Sequence, residues 1–294
     1  MHQPVLVEEA ISYLNCSPGG IYVDATLGSG GHAVKILSDH RFIGKLIGID
    51  QDPEAISIAR ERLKEFQEKT VIIQDNFANI QDVLKGLKVG EVDGIVLDLG
   101  FSSHQLENAE RGFSFMLEGP LDMRMDRRAG FTAFDLVNRS PLPALEKIIR
   151  DYGEERWAKR IARSIVTRRQ KEKIRTTTEL AEIVARVIPR GRFLQKIHPA
   201  TKTFQALRIA VNDELTNLEK VLHDGVDVLK RGGRLCVISF HSLEDRIVKT
   251  AFQSWARREA KALILTPKPV MAGLEEVREN PRARSARLRV AERL

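Results

Sequence analysis

Asp24, Asp50, Asp75 and Asp98 each stand at or just past the end of an apolar run, and the turn Gly28-Ser29-Gly30-Gly31-His32 lies between the first two. An apolar run, an acid, a glycine turn and then a helical pattern from Ala33 describe a strand, a tight turn and a helix N-terminus. Glycines let the backbone approach a ligand closely. An acid at the end of the next strand, here Gly48-Ile49-Asp50, can accept both hydroxyls of a ribose. The chemistry on offer is the binding of a nucleoside-containing cofactor. A lone acid after a strand is usually a turn residue or a helix cap; four in succession favour a lined crevice.

Gly28-x-Gly30-x-x-Ala33 also satisfies the dinucleotide fingerprint, with Asp50 as its ribose acid. Two features favour S-adenosylmethionine (SAM) over NAD. Asp24 precedes the glycine turn, where an acid would crowd a pyrophosphate but can help to hold a cationic amino-acid group. The third strand ends in Asp75-Asn76-Phe77, where a polar group can bond adenine's edge while Phe77 covers its face. Phe77 can equally be a core aromatic.

Strands are expected at about 21–25, 45–49, 71–74 and 93–98, with helices between them such as Pro53 to Phe66, where proline suits a first turn. Alternation of strand and helix implies a parallel sheet with helices on both faces, and ligands bind at the carboxyl ends of its strands. The pattern breaks after Asp98. Residues 101–130 read as loop, and Ala133 to about Arg192 as helices, with Trp157, Ile161, Ile165 and Val166 along one face and a helix start at Thr178. Phe204 to Leu229 is again amphipathic; Gly232-Gly233 then turns into a buried strand, Arg234 to Phe240. The expected architecture is α/β with an inserted helical domain: 1–106 as the first part of the cofactor domain, 107–208 as the insertion, and 209–294 as the second part.

The 294 residues are 43% hydrophobic, enough for a real core. No apolar run approaches the roughly 18 residues needed to cross a bilayer, no secretory segment is visible, and Cys16 and Cys236 lie too far apart to suggest a disulfide framework or a metal cluster. These features predict a cytoplasmic protein with no membrane association. The net charge of +7 is unevenly placed: 1–106 carries −6, 107–212 +9, 213–245 −3 and 246–294 +7. An acidic ligand-binding frame thus bears two basic attachments, which favours a nucleic-acid partner over a merely solvated surface.

Longer strings narrow the reading. Among them are His2-Gln3-Pro4-Val5-Leu6, Asp24 through His32, Leu97-Asp98-Leu99-Gly100-Phe101-Ser102-Ser103-His104-Gln105-Leu106, Gly119 through Asp126, His198 through Asn212, Ser239 through Arg246 and Asn280-Pro281-Arg282-Ala283-Arg284-Ser285. Through these the chain resembles, nearly end to end, the bacterial small-subunit (16S) rRNA cytosine-N4 methyltransferase family. The resemblance implies a Rossmann-like class I SAM-dependent methyltransferase sheet and, as substrate, a P-site cytidine of 16S rRNA in the small ribosomal subunit. It implies that Gly30, Gly31 and His32 lie against the methionine part of SAM, that Asp50 holds the ribose, that Phe77 borders the adenine, and that Asp98 and Gln105 complete the pocket. The family usually has proline where this chain has His104. Nothing in the sequence marks an obligate protein partner or a metal site.

Methylation at cytosine carbon-5 normally needs a cysteine nucleophile, and neither Cys16 nor mid-strand Cys236 fits that role. An exocyclic amine instead needs acceptors for its hydrogens, because its lone pair is delocalised into the ring. Asp98 is the natural candidate catalytic residue. Related amino-methyltransferases carry Asp/Asn-Pro-Pro-aromatic at this strand, whereas this chain has Asp98-Leu99-Gly100-Phe101; the role of Asp98 is therefore open between orienting the amine and contacting cofactor. His241 can contact the base or a phosphate, or merely precede a helix capped by Ser242 with Asp245. Arg124, Arg127 and Arg128 are candidates for rRNA phosphates, and Arg111 for anchoring its loop to Asp122 or Asp126. The competing functions are an RNA-binding ribosome-assembly factor, an NAD-dependent dehydrogenase and a DNA amino-methyltransferase.

Overall fold

The computed structural model describes residues 4–189 and 198–294. His2, Gln3 and the end of the expected helical run at Arg192 lie outside the described residues. The chain divides into two compact units, residues 1–100 with 215–294, and Phe101–Glu214.

In the first unit the chain passes through α1 (Val7–Leu14), β1 (Ile21–Asp24), α2 (Gly31–Asp39), β2 (Lys45–Asp50), α3 (Pro53–Arg62), β3 (Thr70–Gln74), α4 (Ile80–Gly86) and β4 (Val92–Asp98). The second unit holds α5 (Ser103–Glu107), α6 (Ala133–Arg139), α7 (Leu142–Gly153), α8 (Ala158–Lys171), α9 (Thr177–Val187) and α10 (Thr201–Asn212). The chain then re-enters the first unit along α11 (Glu214–Asp227), continuing through β5 (Leu229–Ser239), α12 (Ser242–Ser254), β6 (Ala262–Ile264), α13 (Leu274–Glu279) and β7 (Arg287–Arg293).

The seven strands lie in the order β3-β2-β1-β4-β5-β7-β6. The first five pair in parallel, and β7 runs antiparallel to both β5 and β6. This is the expected class I methyltransferase sheet. Strand order reverses between β1 and β4, so the crevice at their carboxyl ends is the topological switch point where such sheets bind ligands. Alternate residues feed two cores. Val23, Ile47, Ile95, Leu97 and Val237 meet α4, α11 and α12 on one face. Tyr22, Leu46, Val96, Cys236 and Ile238 meet α1 and α2 on the other. Among the described residues no helix is long and apolar enough to cross a membrane.

Three features depart from the sequence reading. The amphipathic run from Phe204 to Leu229 breaks at Asp213, whose φ of 52° is left-handed. Asn212 fixes the break: its Oδ1 accepts from Met125 N–H at 2.7 Å, and its Nδ2 donates to the Met123 carbonyl at 2.8 Å. β5 begins before Gly232-Gly233 and absorbs them as an irregularity, its register with β4 shifting between Val92 and Gly94. The cap of α9 is Thr176, which accepts from Glu179 N–H at 3.2 Å, two residues before the expected start.

The unit boundaries also differ from 106/107 and 208/209. Phe101 stacks on Phe113 with ring centroids 5.8 Å apart and lies 4.8 Å from the Arg208 guanidinium. Arg208 in turn bonds Glu214 through Nε at 2.8 Å and Nη2 at 2.7 Å. These contacts hold both ends of the second unit to its own core of Phe113, Leu136, Ile161, Leu180 and Phe204.

Candidate active site

The turn between β1 and α2 is built by backbone geometry. Gly30 adopts φ 81° and occupies the N-cap of α2 with no side-chain hydrogen bond. A Cβ there would sit 3.5 Å from Ala59, an ordinary contact, so the left-handed backbone is what calls for glycine. At Gly31 the reason is space, since a Cβ would stand 3.0 Å from Pro4 Cβ and 3.1 Å from its Cγ. The N-cap itself supplies no side-chain hydrogen bond; the Asp24 carboxylate acts on Ala33 N–H, and the N–H groups of Gly31 and His32 ahead of it are placed to meet a ligand carboxylate. Asp50 pins the turn from β2: its Oδ2 accepts from Gly28 N–H at 2.7 Å and its Oδ1 from Asp52 N–H at 2.8 Å. Burial raises Asp50 to about 6, while these N–H groups oppose the rise. Each carboxylate oxygen keeps a second lone pair for a hydroxyl donor.

Asp24 and Asp98 end the two strands that flank the reversal. Asp24 is 1% exposed and is pushed up to about 7, chiefly by burial, with the charge of Asp50 adding to it. Its Oδ1 accepts from Thr26 N–H at 3.3 Å, the N–H groups of Thr26 and Ala33 oppose the rise, and its Oδ2 is buried with no hydrogen-bond partner among the described residues. Asp98 N–H donates to Thr26 Oγ1 at 2.6 Å. Asp98 Oδ2 lies 3.7 Å from His32 Nδ1, and among the described residues its Oδ1 is buried with no hydrogen-bond partner. Burial raises the Asp98 carboxyl well above the carboxylate range; the charges of Asp24 and Glu244 add to this and Arg282 opposes it. The imidazole of His32 is buried with Nε2 3.2 Å from the Val5 carbonyl. A carbonyl can only accept, so Nε2 carries the proton and Nδ1 faces Asp98. His32 thus ties the start of α2 to the segment before α1 through Val5, and its Nδ1 stands beside the Asp98 carboxyl beyond hydrogen-bond distance.

The strand-end acids are not equivalent. Asp75 Oδ1 accepts from Asn76 N–H at 2.7 Å and from Asn79 Nδ2 at 2.8 Å, so it is a turn residue. Three acids, not four, are left for the crevice. Asn76 caps the short turn Phe77–Asn79 and donates from Nδ2 to Gln51 Oε1 at 3.2 Å, joining the ends of β2 and β3. Phe77 packs in part against the first core. Gln105 belongs to the second unit, where it is buried and closes a capping box on α5, its Oε1 accepting from Ser102 N–H at 3.0 Å. The expected cap of α12 moves by one residue. His241 is the N-cap and Glu244 its partner, Oε2 accepting from Phe240 N–H at 2.8 Å and from His241 N–H at 3.2 Å. His241 Nε2 is buried and lies 3.2 Å from Glu244 Oε1, out of line for a hydrogen bond.

Thr26, Glu244 and Arg282 were present in the strings that carried the resemblance, but nothing in their spacing showed that they act on Asp98. The thiols offer no nucleophile. Burial pushes Cys16 up to about 12 and raises Cys236, which is fully buried in β5, further still.

Three buried or half-buried carboxylates at one end of a sheet repel a pyrophosphate and attract a ligand that brings positive charge and a diol. The unpartnered Asp24 Oδ2 and Asp98 Oδ1 are desolvated without compensation, and a cationic ligand removes that penalty. Together with the N–H groups at the start of α2 and Asp50, this donor set fits SAM, whose amino-acid end carries an ammonium and a carboxylate and whose sulfonium is positive. It does not suit a dinucleotide.

Comparison with known proteins gives the same direction. The model of the MraW methylase family matches residues 1–294. Ribosomal RNA small subunit methyltransferase H of Geotalea uraniireducens (strain Rf4) is 52% identical, across 100% of this chain and 98% of that protein. The proteins of that name from Geobacter sulfurreducens (52%) and Clostridioides difficile (46%) each match 100% of this chain and 99% of their own length. The likeness therefore extends over both units.

Proposed function

Because the chain belongs to the MraW methylase family, we infer that it transfers a methyl group from SAM to the exocyclic N4 of a P-site cytidine in 16S rRNA of the small ribosomal subunit. It is a SAM-dependent rRNA methyltransferase, and an rRNA substrate supports a cytoplasmic location. The observation that carries the site assignment is the pair of unpartnered buried carboxylate oxygens, Asp24 Oδ2 and Asp98 Oδ1, at the switch point of the sheet.

SAM supplies an electrophilic methyl group on a positively charged sulfur. Gly30, Gly31 and His32, at the start of α2, receive its amino-acid end, with Asp24 balancing the ammonium. Asp50 accepts from the ribose hydroxyls and Phe77 borders the adenine. Gln105 serves the cofactor on the strength of the resemblance alone. Asp98 is the residue that addresses the acceptor amine. Its free Oδ1 accepts one amino hydrogen, which draws the nitrogen toward a tetrahedral form and localises its lone pair. After transfer the nitrogen carries an extra proton, and the Asp98 carboxylate, with its raised proton affinity, is placed to take it. Holding the reactants about 3–3.5 Å apart supplies much of the rate. The second unit is the RNA-recognition domain.

The test is methyl transfer from labelled SAM to unmodified small subunits, with mass-spectrometric mapping of the product nucleoside. The expected result is N4-methylcytidine at one P-site position. Tight binding of SAM and subunits without transfer would favour the assembly-factor function instead.

A further inference from the structure

The cations of the second unit differ in their surroundings. Several are neutralised by the chain itself. Arg124 bonds Asp122 through Nε and Nη2, both at 2.7 Å, and Arg128 bonds Asp126 at 2.8 Å, so two of the arginines expected to meet phosphate already have carboxylate partners. Arg139 pairs with Asp135 at 3.1 Å, Arg150 with Asp151 at 2.9 Å and Arg186 with Glu182 at 3.0 Å. The Arg139 and Arg186 pairs show the ordinary pattern of a solvated helix surface, with opposite charges one turn apart.

The outer face of α8 breaks that pattern. Ala158, Ile161, Ala162 and Ile165 are buried on one side. Lys159, Arg160, Arg163 and Lys171 are exposed and fall within an arc of about 120° on the opposite side, along about 18 Å of helix, and exposed Arg156 lies in the turn just before it. Thr167 and Gln170 fill the gaps, so the arc contains no acid. The two remaining basic side chains of the helix point elsewhere: Arg168 bonds Glu172 at 3.1 Å and Glu179 at 2.8 Å, and Arg169 donates to the Val137 and Ser140 carbonyls, each at 2.6 Å. Among the described residues none of the five has a carboxylate within 4.0 Å. Trp157 organises two of them, its ring lying 4.8 Å from the Arg160 guanidinium and 5.5 Å from that of Arg156. Among the described residues its own Nε1 is buried without a hydrogen-bond partner. Like charges at one-turn spacing repel each other, and here no neighbouring acid relieves them. A polyanion would.

We propose that this face of α8 is a phosphate-tracking site for the rRNA backbone, with Arg156, Lys159, Arg160, Arg163 and Lys171 neutralising phosphates and Trp157 pre-setting two guanidiniums. The proposal rests on the reading of the chain as an rRNA methyltransferase. Such contacts set affinity and salt dependence and carry no base information; the choice of cytidine is made elsewhere.

The test is the triple variant K159Q/R163Q/K171Q of the full chain, which leaves Trp157 and its two arginines in place. Binding to protein-free 16S rRNA and to unmodified small subunits is measured against salt. Removing three phosphate contacts lowers the log–log salt slope by about 2 and weakens binding on the order of 100-fold at 0.1 M salt. KM for subunits rises while kcat at saturation and SAM affinity stay unchanged. The control R150Q/R186Q, in which both cations have carboxylate partners, keeps the wild-type slope. A triple variant with wild-type slope and KM overturns the proposal. So does a variant that loses binding to subunits but not to protein-free rRNA, since the stripe would then face a ribosomal protein. Absence of methyl transfer by the wild-type protein would sink the functional reading itself and is seen separately.

Discussion

Asp24→Asn should make the SAM-free protein more stable at neutral pH while weakening its hold on SAM. The folded environment raises the Asp24 carboxyl from 3.8 to about 7, first by burial and then through the charge of Asp50. The folded state therefore binds this proton more tightly than the unfolded chain does. Stability from the group is complete below about pH 4 and is lost as pH rises to about 7. At 1.36 kcal/mol for each tenfold change in proton affinity, the loss has a ceiling of ~4 kcal/mol. Asparagine keeps an oxygen to accept from Thr26 N–H and carries no charge, so it escapes the penalty. Removing this charge also eases ionisation of Asp98, whose carboxyl Asp24 helps to raise. Urea unfolding of wild type and variant from pH 4.5 to 8.5 is the assay. The difference should be near zero at the acid end and reach a few kcal/mol in favour of the variant at the basic end. Saturating SAM should narrow it, because ligand at 100 times its Kd stabilises only the protein that binds it, by about 2.7 kcal/mol. Parallel pH profiles, or a wild type more stable than the variant at pH 8, would refute the claim that Asp24 is held unpartnered for a cationic ligand.

Other substitutions separate chemistry from architecture. Asp98→Asn keeps the N–H bond to Thr26 and should lower kcat at saturating SAM by about 10²–10³ through loss of a charged acceptor, with SAM affinity, measured calorimetrically, also weakened; normal turnover would remove Asp98 from the chemistry. Thr26→Val deletes the acceptor for Asp98 N–H at 2.6 Å and should cost about 1–3 kcal/mol in urea unfolding. Arg111→Met strands the Arg124 and Met125 carbonyls that Arg111 Nη2 meets at 3.1 and 3.2 Å; a loss of about 1–3 kcal/mol should show as faster proteolysis of the second unit. Cys16→Ala/Cys236→Ala should retain methyl transfer, as neither thiol forms a thiolate near neutral pH; an inactive but folded variant would reopen carbon-5 chemistry.

Much of the first unit can be read directly along the chain. Apolar runs such as Lys45–Asp50 and Val92–Asp98, divided by amphipathic stretches, mark parallel strands because strands buried on both faces need apolar residues throughout. The glycine turn before α2 is equally local, since Gly30 answers a backbone conformation. The second unit is less legible. Its helices show in the 3.6-residue period, but Arg208 with Glu214 and Phe101 with Phe113 decide where it begins and ends. Capping was misplaced at α9 and α12 because Thr176 and Thr178, or His241 and Ser242, compete as neighbours, and packing selects between them.

Residue types and local period were thus enough to determine the α/β class, the helical insertion, the acidic strand ends and the kind of ligand they favour. Tertiary structure alone decided which of those acids stay unpartnered. Asp75 is consumed by its own turn, Asp50 divides between Gly28 and Asp52, and Asp24 and Asp98 each retain a bare oxygen. It likewise separated the open cations of α8 from Arg168 and Arg169. Periodicity reports how a residue faces its neighbours over a few positions, whereas the state of a charge depends on burial and on partners such as His32, Glu244 and Arg282 brought beside Asp98 from distant points of the chain.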